Sequence, residues 1–229
     1  MPTLDRAPWI TAALDSILSQ SGPPFEVIVV DGGSTDGTLN LVRGRAGVKL
    51  IEVPGSGVPG AHNAGLAAAT GSVVAFAASD DLLEPGALQA HTAALEVEAG
   101  CGMSVGLTAF FADDPHARTR PGLAGSVRRA RVLEAVAVRR SVYEVHGGFD
   151  ESLGPSADLE WVSRLADRGV DVVDVESVVV RKRLHAGNVT YDRDLTRSEV
   201  LGAVRATLRR RATEDPEGRL ASGGRDRGE

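Results

Sequence analysis

Residues Val27 to Thr38, VIVVDGGSTDGT, constrain this chain more than any other stretch, because an apolar strand there runs directly into an aspartate, two glycines and a helix start. Asp31 is thereby set at the carboxyl edge of a buried strand. In open parallel sheets that edge faces a crevice lined by strand ends and helix N-termini, where nucleotides bind. The same alternation recurs along the first half of the chain. A helix is expected from Pro8 to Gln20, a strand over Phe25–Val30, and a helix over Thr38–Arg45. A strand over Val48–Val53, a helix over Pro59–Thr70 and a strand over Ser72–Ala77 follow. Repeated βαβ units of this kind imply an α/β fold with a mostly parallel sheet and flanking helices.

The second half continues with a helix opened by Glu84 and Pro85 and ending near Gly100, then a strand over Met103–Phe111. A polar, proline-containing loop is expected over Ala112–Gly125. Val132–Val138 reads as a strand, followed by a short helix into His146, an amphipathic helix carrying Asp158, Trp161, Val162 and Leu165, and a strand over Val170–Val180. The domain is expected to occupy residues 1–193, a basic helix residues 194–213, and a disordered tail residues 214–229, where apolar residues are almost lacking.

Composition narrows the function. The 229 residues, 42% hydrophobic, suffice for one large domain. A formal net charge of -6 argues against a nucleic-acid surface, so anionic substrates need local donors or a metal. Cys101 is the single cysteine, which excludes an intrachain disulfide and favours a cytoplasmic setting. No apolar run reaches the roughly 18 residues that a membrane span needs. The basic segment ATLRRRA, residues 206–212, could touch an anionic membrane or lipid-diphosphate surface, although a solvated helix face is the plainer reading.

Six ordered segments together resemble family 2 glycosyltransferases of the GT-A fold. They are PTLDRAPWITAALDSILSQ from Pro2, VIVVDGGSTDGT, GVPGAHNAGLAAATG from Gly57, FAASDDLLEPGAL from Phe76, GGFDESLGPSADLEWVSRL from Gly147 and RLHAGNVT from Arg183. The resemblance covers Pro2 to Thr190, and it rests on order and spacing, since no single segment is specific. It implies transfer of a sugar from a nucleoside-diphosphate sugar to an acceptor hydroxyl, with inversion. That chemistry needs the nucleoside gripped, the departing diphosphate neutralised and the acceptor deprotonated.

The resemblance assigns Pro2, Thr3, Asp31 and Gly32 to the nucleoside and places His62, Asn63 and Ser79 at the donor. Arginine is common at the His62 position, and a neutral imidazole grips phosphate less strongly than a guanidinium. Asp80 and Asp81 are the implied metal carboxylates for Mg²⁺ or Mn²⁺, with His185 completing the shell. Ala78 stands where a DxD pattern has its first carboxylate, which weakens the site. Asp158 is the implied general base, with Arg164 and Leu165 at the expected distance downstream. Ala157 precedes it where an acidic residue is usual. Trp161 and Phe149 are core candidates before they are sugar platforms.

Family members also carry an apolar first strand directly ahead of the PT segment, and here only Met1 precedes Pro2. The expectation is a missing central strand and a weakened nucleotide edge, because unpaired backbone groups on two neighbours cost several kcal/mol. The acceptor could be a saccharide, a lipid carrier or a small molecule, and a homodimer is open. The competing reading is a non-catalytic or partner-dependent GT-A domain that binds a nucleotide sugar or a protein partner. Another nucleotide enzyme, such as a nucleotidyltransferase or dehydrogenase, is disfavoured because neither GxGxxG after a strand nor a P-loop occurs.

Overall fold

The computed structural model describes residues 1–113, 122–130 and 132–185, together with Val204 and Thr207, both helical. The tail expected over 214–229, all but those two residues of the basic helix, and most of the polar loop after Ala112 lie outside the described residues.

The first three strands form a parallel sheet, and its central strand is the valine- and isoleucine-rich one, buried as a strand covered on both faces should be. Its order is β1 (Pro2–Thr3), β2 (Val27–Asp31) and β3 (Val48–Glu52). Register runs from Pro2 opposite Val30 on one side and from Val27 opposite Val48 on the other. Helix α1 (Ile10–Leu18) buries Ile10, Ala13, Leu14 and Ile17, which the helical period gathers on one face, against Val27, Val29 and Val42. The last of these belongs to α2 (Thr38–Arg43). Helix α3 (Gly57–Ala68) then crosses toward the second sheet.

That second sheet has the order β4-β8-β6-β9-β5, with β7 paired to β6. Its strands are β4 (Val73–Ala75), β5 (Leu82–Leu83), β6 (Met103–Phe111), β7 (Val127–Arg128), β8 (Val136–Arg139) and β9 (Val172–Arg183). The β6–β9 pair is parallel, and the remaining pairs are antiparallel. Parallel βαβ winding therefore belongs to the first half, and the second half is mixed. Helix α4 (Ala87–Val97) packs on this sheet, with Ala87 meeting Val175, Val179 and Val180.

Short elements escaped the sequence expectation: β5 and β7 have only two residues each, and residues Glu151–Ser156 form a 3-10 turn ahead of α6 (Ala157–Asp167). The first part of the expected strand Val132–Val138 is a 3-10 turn, Leu133–Ala135. Helix α5 (Arg140–His146) follows β8 as expected. Pro2–Thr3 of the PT segment pairs in parallel with Val30–Asp31 at one edge of the first sheet.

The largest core cluster joins Phe76, Val138, Phe149, Trp161 and Leu165. Trp161 is fully buried, and its indole N–H donates to the Gly147 carbonyl at 2.9 Å, which satisfies the one polar atom the ring carries. Both aromatic residues considered as sugar platforms are thus interior.

Candidate active site

The chain leaves β2 at Asp31, and the turn that follows is built on that carboxylate. Oδ1 accepts the backbone N–H groups of Gly33 and Ser34, each at 2.8 Å, and Oδ2 accepts the Ser34 hydroxyl at 2.5 Å. Gly33 holds φ at +109° and lies against Pro54, a conformation that a side chain would strain. The Gly32 N–H donates to the Thr3 carbonyl at 2.9 Å, so β1 and the turn are locked together. Thr3 stands opposite Asp31 in register, and its buried hydroxyl has no hydrogen-bond partner among the described residues. An ionised carboxylate offers about four acceptor positions. Three are occupied at Asp31.

The loop after Thr3 is stitched onto the same turn. Asp5, at φ +50°, accepts the Thr35 N–H at 2.7 Å and donates its own N–H to the Ser34 hydroxyl at 2.9 Å. The Ala7 N–H reaches Asp36 at 2.9 Å and the Arg6 N–H reaches the Thr38 hydroxyl at 2.8 Å. This stitching fixes the path of Arg6 and Trp9, two residues the motif reading passed over.

Asp80 and Asp81 are adjacent and have different fates, because the short strand β5 pairs Leu82 with Arg181 and so brings the end of β9 alongside them. Asp81 turns inward and is 3% exposed. Its Oδ1 accepts the Arg183 N–H at 2.8 Å, and its Oδ2 meets the Lys182 ammonium at 3.1 Å, which also touches Glu134 at 3.2 Å. Burial pushes the Asp81 carboxyl upward, while Lys182 and the Arg183 N–H oppose that shift. For Lys182, burial alone would lower the pKa, but the carboxylates of Glu134 and Asp81 outweigh it and raise the value. Asp81 is therefore an internal ion-pair partner that anchors the loop, a different use from the metal ligation expected of it.

Asp80 turns the other way. Its Oδ2 lies 3.1 Å from His185 Nε2 and 3.5 Å from Arg6 Nε, while its carbonyl accepts the Arg183 Nε–H at 2.8 Å. The His185 ring stacks on Trp9 with centroids 4.1 Å apart, and the Arg6 guanidinium lies 5.8 Å from the same indole. A carboxylate, an imidazole, a guanidinium and an indole thus meet at one rim, beside the turn that Asp31 organises. Ser79 is buried immediately ahead of them.

Among the described residues, no group of three or more His, Cys, Asp or Glu side chains gathers around one point. A carboxylate oxygen and an imidazole nitrogen 3.1 Å apart nevertheless suit neighbouring positions on one ion. Octahedral Mg²⁺ with bonds of about 2.1 Å sets adjacent ligands about 3 Å apart and takes its remaining ligands from phosphate and water. Asp80 and His185 fit that role as a pair.

His62 and Asn63 do different work from the donor contacts expected of them. His62 stacks on Phe149 with centroids 4.9 Å apart and meets the edge of Phe76 at 5.6 Å. Burial, with a smaller effect from the Met1 ammonium, pushes its pKa down to about 3, so the ring is neutral. Asn63 reaches across to the segment before α6. Its amide donates to the Phe149 carbonyl and to Glu151, both at 2.9 Å, and its oxygen accepts the Phe149 N–H at 2.8 Å.

Asp158 stands half-buried in the first turn of α6, where a carboxylate is favoured by the helix dipole. Its helix is set by Arg164, which pairs with Glu160 at 3.1 Å and donates to the carbonyls of His146 and Gly148. Ala157 is fully buried in the core cluster, a setting that would desolvate any carboxylate placed there. Helix α3 contacts both β1 and the 3-10 turn ahead of α6.

These features sit on an α/β fold that joins a parallel sheet to a mixed one. The profile described as Glycosyl transferase family 2 matches residues 1–141. The chain belongs to that family.

Among curated relatives, an uncharacterized glycosyltransferase of Nostoc sp. is 39% identical over 88 residues, which is 36% of this chain and 27% of that protein. A PGL/p-HBAD biosynthesis glycosyltransferase of Mycobacterium bovis is 42% identical over 88 residues, 36% of this chain and 34% of that protein. The matched stretch thus spans about a third or less of these relatives.

Among solved structures, the mannosyltransferase PcManGT of Pyrobaculum calidifontis, in complex with GDP-Man and Mn²⁺, superposes with a TM-score of 0.69 at 25% identity. That match covers 91% of this chain and 62% of the other. S. aureus TarS 1-349 in complex with UDP gives a TM-score of 0.62 at 18% identity, covering 97% of this chain and 74% of the other. The latter likeness bears on the fold alone.

Proposed function

We propose that this domain transfers a sugar from a nucleoside-diphosphate sugar to an acceptor hydroxyl, with inversion at the anomeric carbon. The observation that carries the reading is the meeting of Asp80, His185 and Arg6 beside the turn built on Asp31. A nucleoside held at the strand ends would supply a partner for the Thr3 hydroxyl and use the acceptor position left on Asp31. Pro2 and Gly32 would shape that pocket through the backbone.

Arg6 brings a permanent positive charge to where diphosphate charge develops on departure. Asp80 and His185 would hold a divalent ion, which when bound supplies further charge neutralisation to the diphosphate. Asp158 is assigned as the general base that takes the proton from the acceptor hydroxyl, freeing the oxygen to attack the face opposite the leaving group. Among the described residues, no helix is long and apolar enough to cross a membrane.

Thermal unfolding with UDP, GDP and dTDP sugars, each with and without Mn²⁺, tests the reading. A donor at about 100 times its dissociation constant should stabilise the fold by roughly 2.7 kcal/mol. Asp80→Asn should remove the Mn²⁺-dependent part of that shift. Asp158→Asn should keep donor binding while transfer falls by about 100-fold or more, the typical worth of a general base. If no nucleotide sugar moves the transition, the transferase reading fails. Binding with unchanged turnover in Asp158→Asn would instead support a different base.

A further inference from the structure

Strand β9 ends at Arg183, and the Leu184 N–H still donates to the Phe111 carbonyl at 2.8 Å. His185 is the next residue. A strand end places its backbone but does not choose the rotation of the imidazole about its side-chain torsions. A metal ligand needs that choice made, because the ring must aim one nitrogen at the ion, and contacts beyond the ligands themselves usually set the aim.

The indole of Trp9 is placed to make the choice. It stacks on the His185 ring with centroids 4.1 Å apart and planes 24° from parallel, while Nε2 lies 3.1 Å from Asp80 Oδ2. The imidazole is therefore gripped by its face and aligned by its edge. Stacking engages the π face and spares the in-plane lone pair, which is the one a cation needs. Coordination to a divalent ion also draws electron density from the imidazole, and an indole face attracts a ring made partly cationic as it attracts a cation.

Trp9 is itself firmly held. Its N–H donates to the Arg6 carbonyl at 2.9 Å, and its carbonyl accepts the Ala13 N–H at 3.1 Å, at the start of α1. The loop ahead of it is pinned to the Ser34–Thr38 turn by four hydrogen bonds. Trp9 is half-buried and belongs to none of the three core clusters, so interior packing does not account for so large a ring at this position.

We propose that Trp9 is a positioning residue for the metal ion: it fixes the ring plane of His185 so that Nε2 and Asp80 Oδ2 offer neighbouring ligands, and it ties that pair to the turn that Asp31 organises. The proposal rests on the reading of Asp80 and His185 as the metal pair.

The test is titration of Mn²⁺ alone, with the free ion counted by electron paramagnetic resonance, for the unaltered chain, Asp80→Asn, His185→Ala, Trp9→Leu, Trp9→Phe and the double variant Trp9→Leu with His185→Ala. Trp9→Leu should weaken Mn²⁺ binding about tenfold, and His185→Ala at least as much. Trp9→Phe should cost about threefold or less, because it keeps a stacking face. On the His185→Ala background Trp9→Leu should add nothing, since it acts through that ring. Unchanged affinity in Trp9→Leu, a loss in Trp9→Phe equal to that in Trp9→Leu, or a further tenfold loss in the double variant would overturn the role of Trp9 while the metal pair stands. Unchanged affinity in both Asp80→Asn and His185→Ala would instead overturn the metal pair, and the proposal with it.

Discussion

Replacing Asn63 with alanine should destabilise the domain by about 2–4 kcal/mol through the hydrogen bonds it removes. The amide oxygen and nitrogen of Asn63 pair with both backbone groups of Phe149, at 2.8 and 2.9 Å, and Phe149 is 5% exposed. Each such bond contributes about 1 kcal/mol net, and each buried backbone group left unpaired adds a penalty of about 1–3 kcal/mol unless water enters. The third bond, to Glu151, lies at the surface and contributes little.

The fit is close: a Cβ on Gly148 would lie 2.3 Å from the Asn63 amide oxygen, so the backbone must be glycine there for the clamp to close. Urea unfolding at pH 7 measures the loss as a shift in midpoint with an unchanged slope. Asn63→Asp serves as the control of equal size. It keeps the acceptor for the Phe149 N–H, loses both donors, and sets the introduced carboxylate against the Phe149 carbonyl and Glu151. It should cost at least as much as alanine at pH 7. A loss below about 1 kcal/mol for Asn63→Ala, or a stable Asn63→Asp, would refute the clamp as the link between α3 and the segment leading to Asp158.

Two other outcomes follow from the interior. His62 is a base whose pKa is lowered on folding, to about 3 from 6.5, so the unfolded chain takes up its proton first as pH falls. Its contribution is whole above pH 6.5 and declines by up to about 1.4 kcal/mol per pH unit below it. His62→Leu should flatten the dependence of unfolding free energy between pH 6.5 and 5, and an unchanged slope would contradict the neutral, buried ring; His91, lowered to about 4 by burial, adds a parallel loss that the variant leaves in place. At Gly106, a Cβ would lie 2.4 Å from the Val179 side chain where the β6–β9 register shifts. Gly106→Ala should cost about 1–3 kcal/mol in urea unfolding, and Gly106→Ala combined with Val179→Ala should recover part of it.

The linear pattern determined the elements that depend on local periodicity. Valine and isoleucine runs with glycine-rich stops specify β2 and β3, and the apolar spacing of Ile10, Leu14 and Ile17 specifies α1. The family membership was legible for the same reason, since ordered motifs survive in sequence even where single residues change. Asp31 at a strand end and Asp80 beside His185 were likewise reachable from those motifs.

Tertiary structure alone decided which of two adjacent aspartates faces the rim. That choice depends on β5 docking beside β9, so that Lys182 and Arg183 capture Asp81 from about a hundred residues away. It also decided that His62 and Asn63 serve the aromatic core and the Phe149 clamp, because α3 lies against a segment far along the chain. Arg6 and Trp9 became site residues for a similar reason. Their loop is pinned to the Ser34–Thr38 turn by long-range hydrogen bonds, which no local pattern encodes. Side-chain periodicity is a property of neighbours in sequence, whereas the partner of a buried charge is fixed only when distant strands come into register.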